Sequence, residues 1–152
     1  MASMEAFTAA KNMASVYGMF FKAVAQEIGM ERALTLQSKA NEGYVTAYIE
    51  LFKEPDLEKV AAKVTEMSNG LGMIGETKVE GRKVVSKYTK CPIYDGFLEA
   101  GLTHDQIKTY CQHTAEEEYD SFKKILPNVK GSLTRFRASP DDYCIEDVEV
   151  RK

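Results

Sequence analysis

The sequence predicts an α+β fold: a helical N-terminal half packed on an antiparallel sheet of two hairpins, with helices on one face. Three observations point there. Apolar residues recur every three or four positions through residues 1–70, the period of a helix. The pattern then changes to short β-branched runs around Val79-Glu80-Gly81-Arg82, which read as a hairpin. A second such pair closes the chain after an intervening helical stretch. At 152 residues the whole chain, 1–152, is expected to form one domain with a real core. Its two parts are a helical half, 1–70, and a hairpin–helix–helix–hairpin half, 71–152.

In the first helix, Phe7, Ala10, Ala14, Tyr17, Phe21, Val24 and Ile28 form one apolar stripe, and Ala9, Met13, Val16 and Phe20 a second. A helix apolar on two sides is deeply buried or meets two partners, which suggests a homodimer. Gly29 ends it. A second helix is expected from about Glu31 to Lys53. Its small-residue face, Ala40, Gly43 and Ala47, invites close approach of a helix or ligand, because a mid-helix Gly costs roughly 1 kcal/mol against Ala. Glu54-Pro55-Asp56 breaks the chain before a third helix, whose face is Leu57, Val60, Val64 and Met67. The first hairpin is expected over Gly72–Lys78 and Arg82–Thr89, with Glu80-Gly81 at the tip. Cys91-Pro92 leads into a short helix, about Ile93 to Ala100. Thr103 and Gln106 form a capping box for a helix running to about Leu126, stopped by Pro127-Asn128. Gly131 to Ala138 and Tyr143 to Val150 make the last strand pair.

Composition narrows the function classes. The net charge is −3, with 44% apolar and 28% charged residues, and the basic residues form no block of the kind that tracks phosphates. Nucleic acid is therefore not an expected partner. The longest apolar-rich stretch, Ala14 to Gly29, is too short and too polar to span a membrane, and the N-terminus does not read as a secretory signal. Three cysteines, an odd number without a dense framework, fit a reducing compartment, so the expected location is the cytoplasm.

Several motifs carry possible chemistry. Gly70-Leu71-Gly72-Met73-Ile74-Gly75 matches GxGxxG, but a dinucleotide fingerprint needs a strand before it and a helix after it. Here the order is reversed, so the stretch reads as a linker. His104, Cys111 and Glu118 share a face of one predicted helix. Seven residues of helix separate neighbours by roughly 10 Å, so that helix alone cannot form a thiol–imidazole dyad. Glu118 is a carboxylate in a largely apolar stripe, and a buried carboxylate needs a partner or shifts its pKa. It is the best single candidate for an ionisable pocket residue. His113 lies on the opposite side, at the surface, near Glu117. Cys91, Cys111 and Cys144 contain no CxxC pair, which disfavours a zinc ribbon, and no cofactor is expected. Cys111 and Cys144 read first as packing residues. Cys91 differs: Pro92 holds its backbone extended, and the following helix can offer free N–H groups, which lower a thiol pKa. Tyr88, Tyr94, Phe97, Tyr110 and Tyr119 would supply aromatic walls for a small-molecule pocket or a core.

The runs Lys90-Cys91-Pro92-Ile93-Tyr94, Gly101-Leu102-Thr103, Tyr110-Cys111, Leu126-Pro127-Asn128 and Asp141-Asp142-Tyr143-Cys144 together resemble the L-2-amino-thiazoline-4-carboxylic acid hydrolase-like family, over residues 72–150. The resemblance implies hydrolytic opening of a thiazoline-carboxylate ring at a C–N or C–S bond. Cys91, or a water activated by Glu118, would attack. Tyr94 or Asp95 would shuttle a proton, and Arg135 or Arg137 would hold the carboxylate, with Cys111 and Cys144 beside the substrate. The second half is also similar, more loosely, to 4-vinyl-reductase-type domains, which implies a non-catalytic small-molecule ligand-binding or sensor module.

Overall fold

Ser3 opens the first helix by accepting a hydrogen bond from the Ala6 N–H at 3.0 Å. From there α1 (Met4–Ile28) runs to Gly29, which turns the chain at φ 88°, a backbone conformation that glycine adopts freely. The computed structural model describes residues 2–151; the outermost residue at each end of the expected 1–152 domain lies outside the described residues. After Gly29 come α2 (Met30–Glu50), a 3₁₀ turn (Leu51–Lys53) and α3 (Leu57–Gly70). Asp56 caps α3 by accepting from the Glu58 N–H at 3.1 Å. The first hairpin is β1 (Ile74–Glu80) and β2 (Lys83–Lys90). Its tip lies one residue beyond the expected one: Glu80 pairs Lys83, so Gly81-Arg82 form the loop, with Gly81 at φ 63°. A left-handed glycine at the first loop position suits a two-residue hairpin.

Next are α4 (Pro92–Glu99) and α5 (His104–Ile125), the latter started by the complete Thr103–Gln106 capping box. The chain closes with β3 (Val129–Arg135) and β4 (Cys144–Val150). The sheet order is β1-β2-β4-β3, antiparallel throughout. The two hairpins meet along β2 and β4. The fold is α+β, and no described helix is long and apolar enough to cross a membrane.

Two apolar clusters hold these elements together. The first packs the inner sheet face (Val84, Val129, Val148) against Ile49, Phe52, Val60, Val64 and Phe122. The second is all helical and joins Phe21, Leu34, Phe97, Ile107 and Tyr110. Its rings interlock edge to face, with Phe97 and Tyr110 centroids 4.8 Å apart, a favourable geometry for aromatic pairs.

One expectation about helix faces is corrected. The small-residue face of α2 is not a contact: Ala40, Gly43 and Ala47 are exposed, and a Cβ on Gly43 would meet nothing within 4 Å. The close approach is between α1 and α4. There a Cβ on Gly96 would lie 2.6 Å from the Lys11 carbonyl oxygen, and one on Gly18 would lie 2.9 Å from Ala100 Cβ. The second apolar stripe of α1 has no cover within the chain, with Met13 72%, Val16 64% and Phe20 66% exposed. The buried residues of α1, Phe7, Gly18 and Phe21, lie on the opposite side, which meets α4.

Candidate functional site

Alternation along a strand fixes which side chains enter the interior. Val148 and Val150 belong to the first core cluster, so Glu146 and Cys144, at steps of two, share their face. On β2, Val84 points inward, and Ser86 and Tyr88 follow. The register pairs Val84 with Val148, Ser86 with Glu146 and Tyr88 with Cys144. Read along the strands, the inner face begins as valine and becomes polar. Thr77 lies opposite Ser86 on β1, their hydroxyls 3.0 Å apart, and Leu133 lies opposite Glu146 on β3.

The helix above repeats this sequence of environments. Ile107, Tyr110 and Cys111 of α5 join the helical cluster, and Tyr119 and Phe122 join the sheet cluster. Glu118 lies about two turns beyond Cys111 and next to Tyr119, between the residues of the two clusters. From α2, Tyr48 packs edge to face on Phe122 at 5.9 Å. One turn earlier stands Tyr44, 43% exposed at the rim. The Tyr88 hydroxyl is fixed at 2.9 Å from Ser68 Oγ.

The electrostatics of this junction are one-sided. Burial lifts the Glu146 carboxyl to about 7. Burial, and then the charge of Glu146, lifts Glu118 to about 8. Neither carboxyl has a hydrogen-bond or cationic partner among the described residues to pull it down. Burial and these carboxylates also push up the phenols of Tyr44, Tyr48 and Tyr119, and burial and Glu146 that of Tyr88. Among the described residues, the sealed side-chain oxygen that lacks a partner is Asp95 Oδ1. The unpartnered oxygens of Glu118, Glu146, Tyr48 and Tyr119 therefore border open space, although protein surrounds these side chains.

Cys91 lies at the other end of the polar strip. Burial pushes its thiol up to about 11, outweighing the lowering influence of the Tyr94 and Ile93 N–H groups, and no N–H of the following helix hydrogen-bonds the Cys91 side chain. Cys111 is raised too, first by burial and then by the charges of Cys91 and Cys144, so the three thiols are neighbours. They are free, and among the described residues no group of three or more His, Cys, Asp or Glu side chains is placed to hold a metal ion. With Cys111 and Cys144 replaced by Ser, Cys91 should react with iodoacetamide at pH 7.5 about a hundredfold more slowly than in the urea-unfolded chain, because each pKa unit removes tenfold of thiolate. Equal rates in the two states would refute a protonated, enclosed thiol.

The other expected site residues are dispersed. The Tyr94 hydroxyl turns to His104 Nδ1 at 2.8 Å, away from the carboxyl pair. Asp95 is raised by burial and influenced by Arg137, Lys90 and Lys11, which places it toward α1. Arg137 is fully buried and borders the site, but it donates to the Tyr88 carbonyl at 2.9 Å, the Pro140 carbonyl at 3.3 Å and Cys144 Sγ at 3.5 Å. Its guanidinium carbon lies 5.3 Å from the Tyr94 ring centroid. Arg135 is on the outer face, held by Asp142 at 2.9 Å and stacked on Tyr143. Cys91, Cys111, Cys144 and Arg137 thus lie together, Glu118 lies near Glu146, and Tyr94 and Arg135 are engaged by other partners.

Glu146, Tyr44 and Tyr48 were not among the expected site residues. A signal for Glu146 existed: in Cys144-Ile145-Glu146-Asp147-Val148 it is in phase with an apolar strand position, as Glu118 is in its helix. The tyrosines carried no comparable mark.

A surface groove of about 350 Å³ also lies between α2 and α5, beside Ser38, Thr114 and Glu117. Ser38 Oγ and Glu117 Oε1 both approach His113 Nε2, at 3.1 and 3.8 Å. A nucleophile–base–acid relay needs the acid on the other ring nitrogen, so this trio is no triad. No protein-family model, curated protein or solved structure matches the chain.

Proposed function

We propose that this chain is a small-molecule-binding domain with no chemistry of its own, its ligand seated in the cleft between the inner sheet face and α2 and α5. The observation that carries this reading is the set of unpartnered oxygens on Glu118, Glu146, Tyr48 and Tyr119, enclosed by protein yet open to space. Polar groups in such positions lose hydrogen bonds to water and gain none from protein. A ligand, or ordered water that a ligand displaces, completes them. A mainly apolar wall with a few converging polar groups is the usual make-up of a ligand site.

The ring-opening reading fares less well on the same geometry. It asks for an activated nucleophile within reach of an acid. Burial raises the Cys91 thiol, and the Tyr94 hydroxyl is engaged by His104. The free thiols fit a reducing compartment, and we place the protein in the cytoplasm.

The test is a pair of measurements on the purified protein. Native mass spectrometry should find a co-purifying small molecule or show uptake from a metabolite extract, lost in Glu146→Gln. Incubation with 2-amino-thiazoline-4-carboxylate should give no ring-opened product. Catalytic turnover that Cys91→Ser or Glu118→Gln abolishes would overturn the binding reading and restore the hydrolase.

A further inference from the structure

Among the described residues, the ionisable groups that Glu118 and Glu146 influence, or that influence them, are acids. Glu118 comes from α5 and Glu146 from β4. Tyr44 and Tyr48 come from α2, Tyr88 from β2 and Tyr119 from α5. Each of the four phenols is influenced by at least one of the two carboxylates. The nearest buried cation, Arg137, spends its guanidinium on two carbonyls and a thiol and is not among the groups that act on either glutamate. Lys83 is bound to Asp147 at 2.9 Å. In strand alternation Asp147 is on the face opposite Glu146, where Ser132 also reaches it at 2.6 Å. No lysine or arginine is among the groups that act on Glu118 or Glu146.

Burying carboxyls in this way is costly unless something compensates them. Two independent features say what would. The first is the pair of acids without a counter-charge. The second is the set of tyrosines near them, with the Tyr48 and Tyr119 hydroxyls themselves unpartnered. Aromatic faces attract cations through the ring quadrupole, most strongly when the cation is desolvated. Carboxylates supply the charge-assisted hydrogen bonds that an N–H-bearing cation needs. A neutral apolar ligand would leave both carboxyls unpaired. An anion would meet only repulsion.

We propose that the cleft takes a small organic cation, an alkylammonium or guanidinium group held between Glu118 and Glu146, its carbon atoms packed on the rings of Tyr44, Tyr48, Tyr88 and Tyr119. This rests on the binding reading above and names its ligand class. The protonated pair must release protons as the cation enters, so binding strengthens as pH rises from 6 to 8.5.

The experiment uses the whole chain and three matched probes of similar length: putrescine as cation, 1,4-butanediol as neutral analogue and succinate as anion. Tetramethylammonium serves as a cation without N–H groups. Thermal unfolding and calorimetric titration are run at pH 6 and 8.5. Putrescine should bind at least tenfold more tightly at pH 8.5 than at pH 6, release protons at the lower pH, and lose its binding in Glu146→Gln. Tyr48→Leu should weaken tetramethylammonium, which depends on the rings. Binding of butanediol or succinate, lost in Glu146→Gln, with none of the cations, would overturn the cation class and leave the cleft a ligand site. No binding of any probe would overturn both. The Gln variant removes a buried charge without changing shape, so it should fold; its melting temperature at pH 6 checks this directly.

Discussion

Gly96→Ala is expected to destabilise the protein by about 1–3 kcal/mol, the usual cost of forcing an extra carbon into a packed interior. The same substitution at Gly43 should stabilise it by about 0.5–1 kcal/mol. Both glycines sit inside helices, so the gain from restricting the unfolded chain is common to the two. What differs is the space. At Gly96 the new Cβ would lie 2.6 Å from the Lys11 carbonyl oxygen and 2.7 Å from the Ser15 nitrogen, both backbone atoms of α1 that cannot swing aside. At Gly43 it meets nothing within 4 Å. Relief at Gly96 requires α1 and α4 to separate, which loosens Phe97 from Phe21 and Tyr110. Urea unfolding at a fixed pH measures both, with midpoints moving in opposite directions. A Gly96→Ala protein as stable as the parent would mean that the helices do not touch at that point.

The contrast also shows why the fold was more legible than its contacts. Local chemistry marked the element boundaries: the Thr103–Gln106 box and Gly29 stand where expected, and Gly81 lies in a tip shifted by a single residue. These signals act within four or five residues of the chain. Which glycine meets another helix is decided by packing across long separations, and Gly43 and Gly96 look alike in sequence. The cleft divides the same way. Glu118 stood out because a carboxylate broke a helical stripe. Glu146 carried the equivalent mark at a period of two, but its strand bears an acid at Glu146, Asp147 and Glu149, and only the pairing with Ser86 and Val84 shows which of them face inward. At Cys91 the sequence shows the helix that follows but not the burial that raises its thiol, since burial depends on what distant segments place over it.

The carboxyl pair should make this protein less stable as pH rises through neutrality, the reverse of what salt-bridged carboxylates do. Unfolded, both glutamates titrate near 4.5; folded, Glu146 is raised to about 7 and Glu118 to about 8. Below pH 4.5 both states hold the protons and the pair contributes nothing unfavourable. Between there and pH 8 the folded state holds protons that the unfolded state has released, so stability falls with increasing pH. Above about pH 8 the loss is complete, on the order of 3 kcal/mol for a single group shifted this far. Asp142, lowered to about 2 by the Ala138 N–H and Arg135, works in the opposite sense, but its contribution is already full above pH 5. Glu146→Gln removes one charge and the repulsion that lifts Glu118. The variant should therefore match the parent near pH 4.5 and exceed it by about 2–3 kcal/mol at pH 8.5, visible as a higher urea midpoint. Because surface groups titrate alike in both proteins, the difference between their pH profiles isolates the pair. Parallel profiles would mean that Glu146 is solvated and that the cleft holds no buried charge. Added putrescine at pH 8.5 should narrow the gap by stabilising the parent alone, since a bound cation replaces the neutralisation that the Gln variant achieves by substitution.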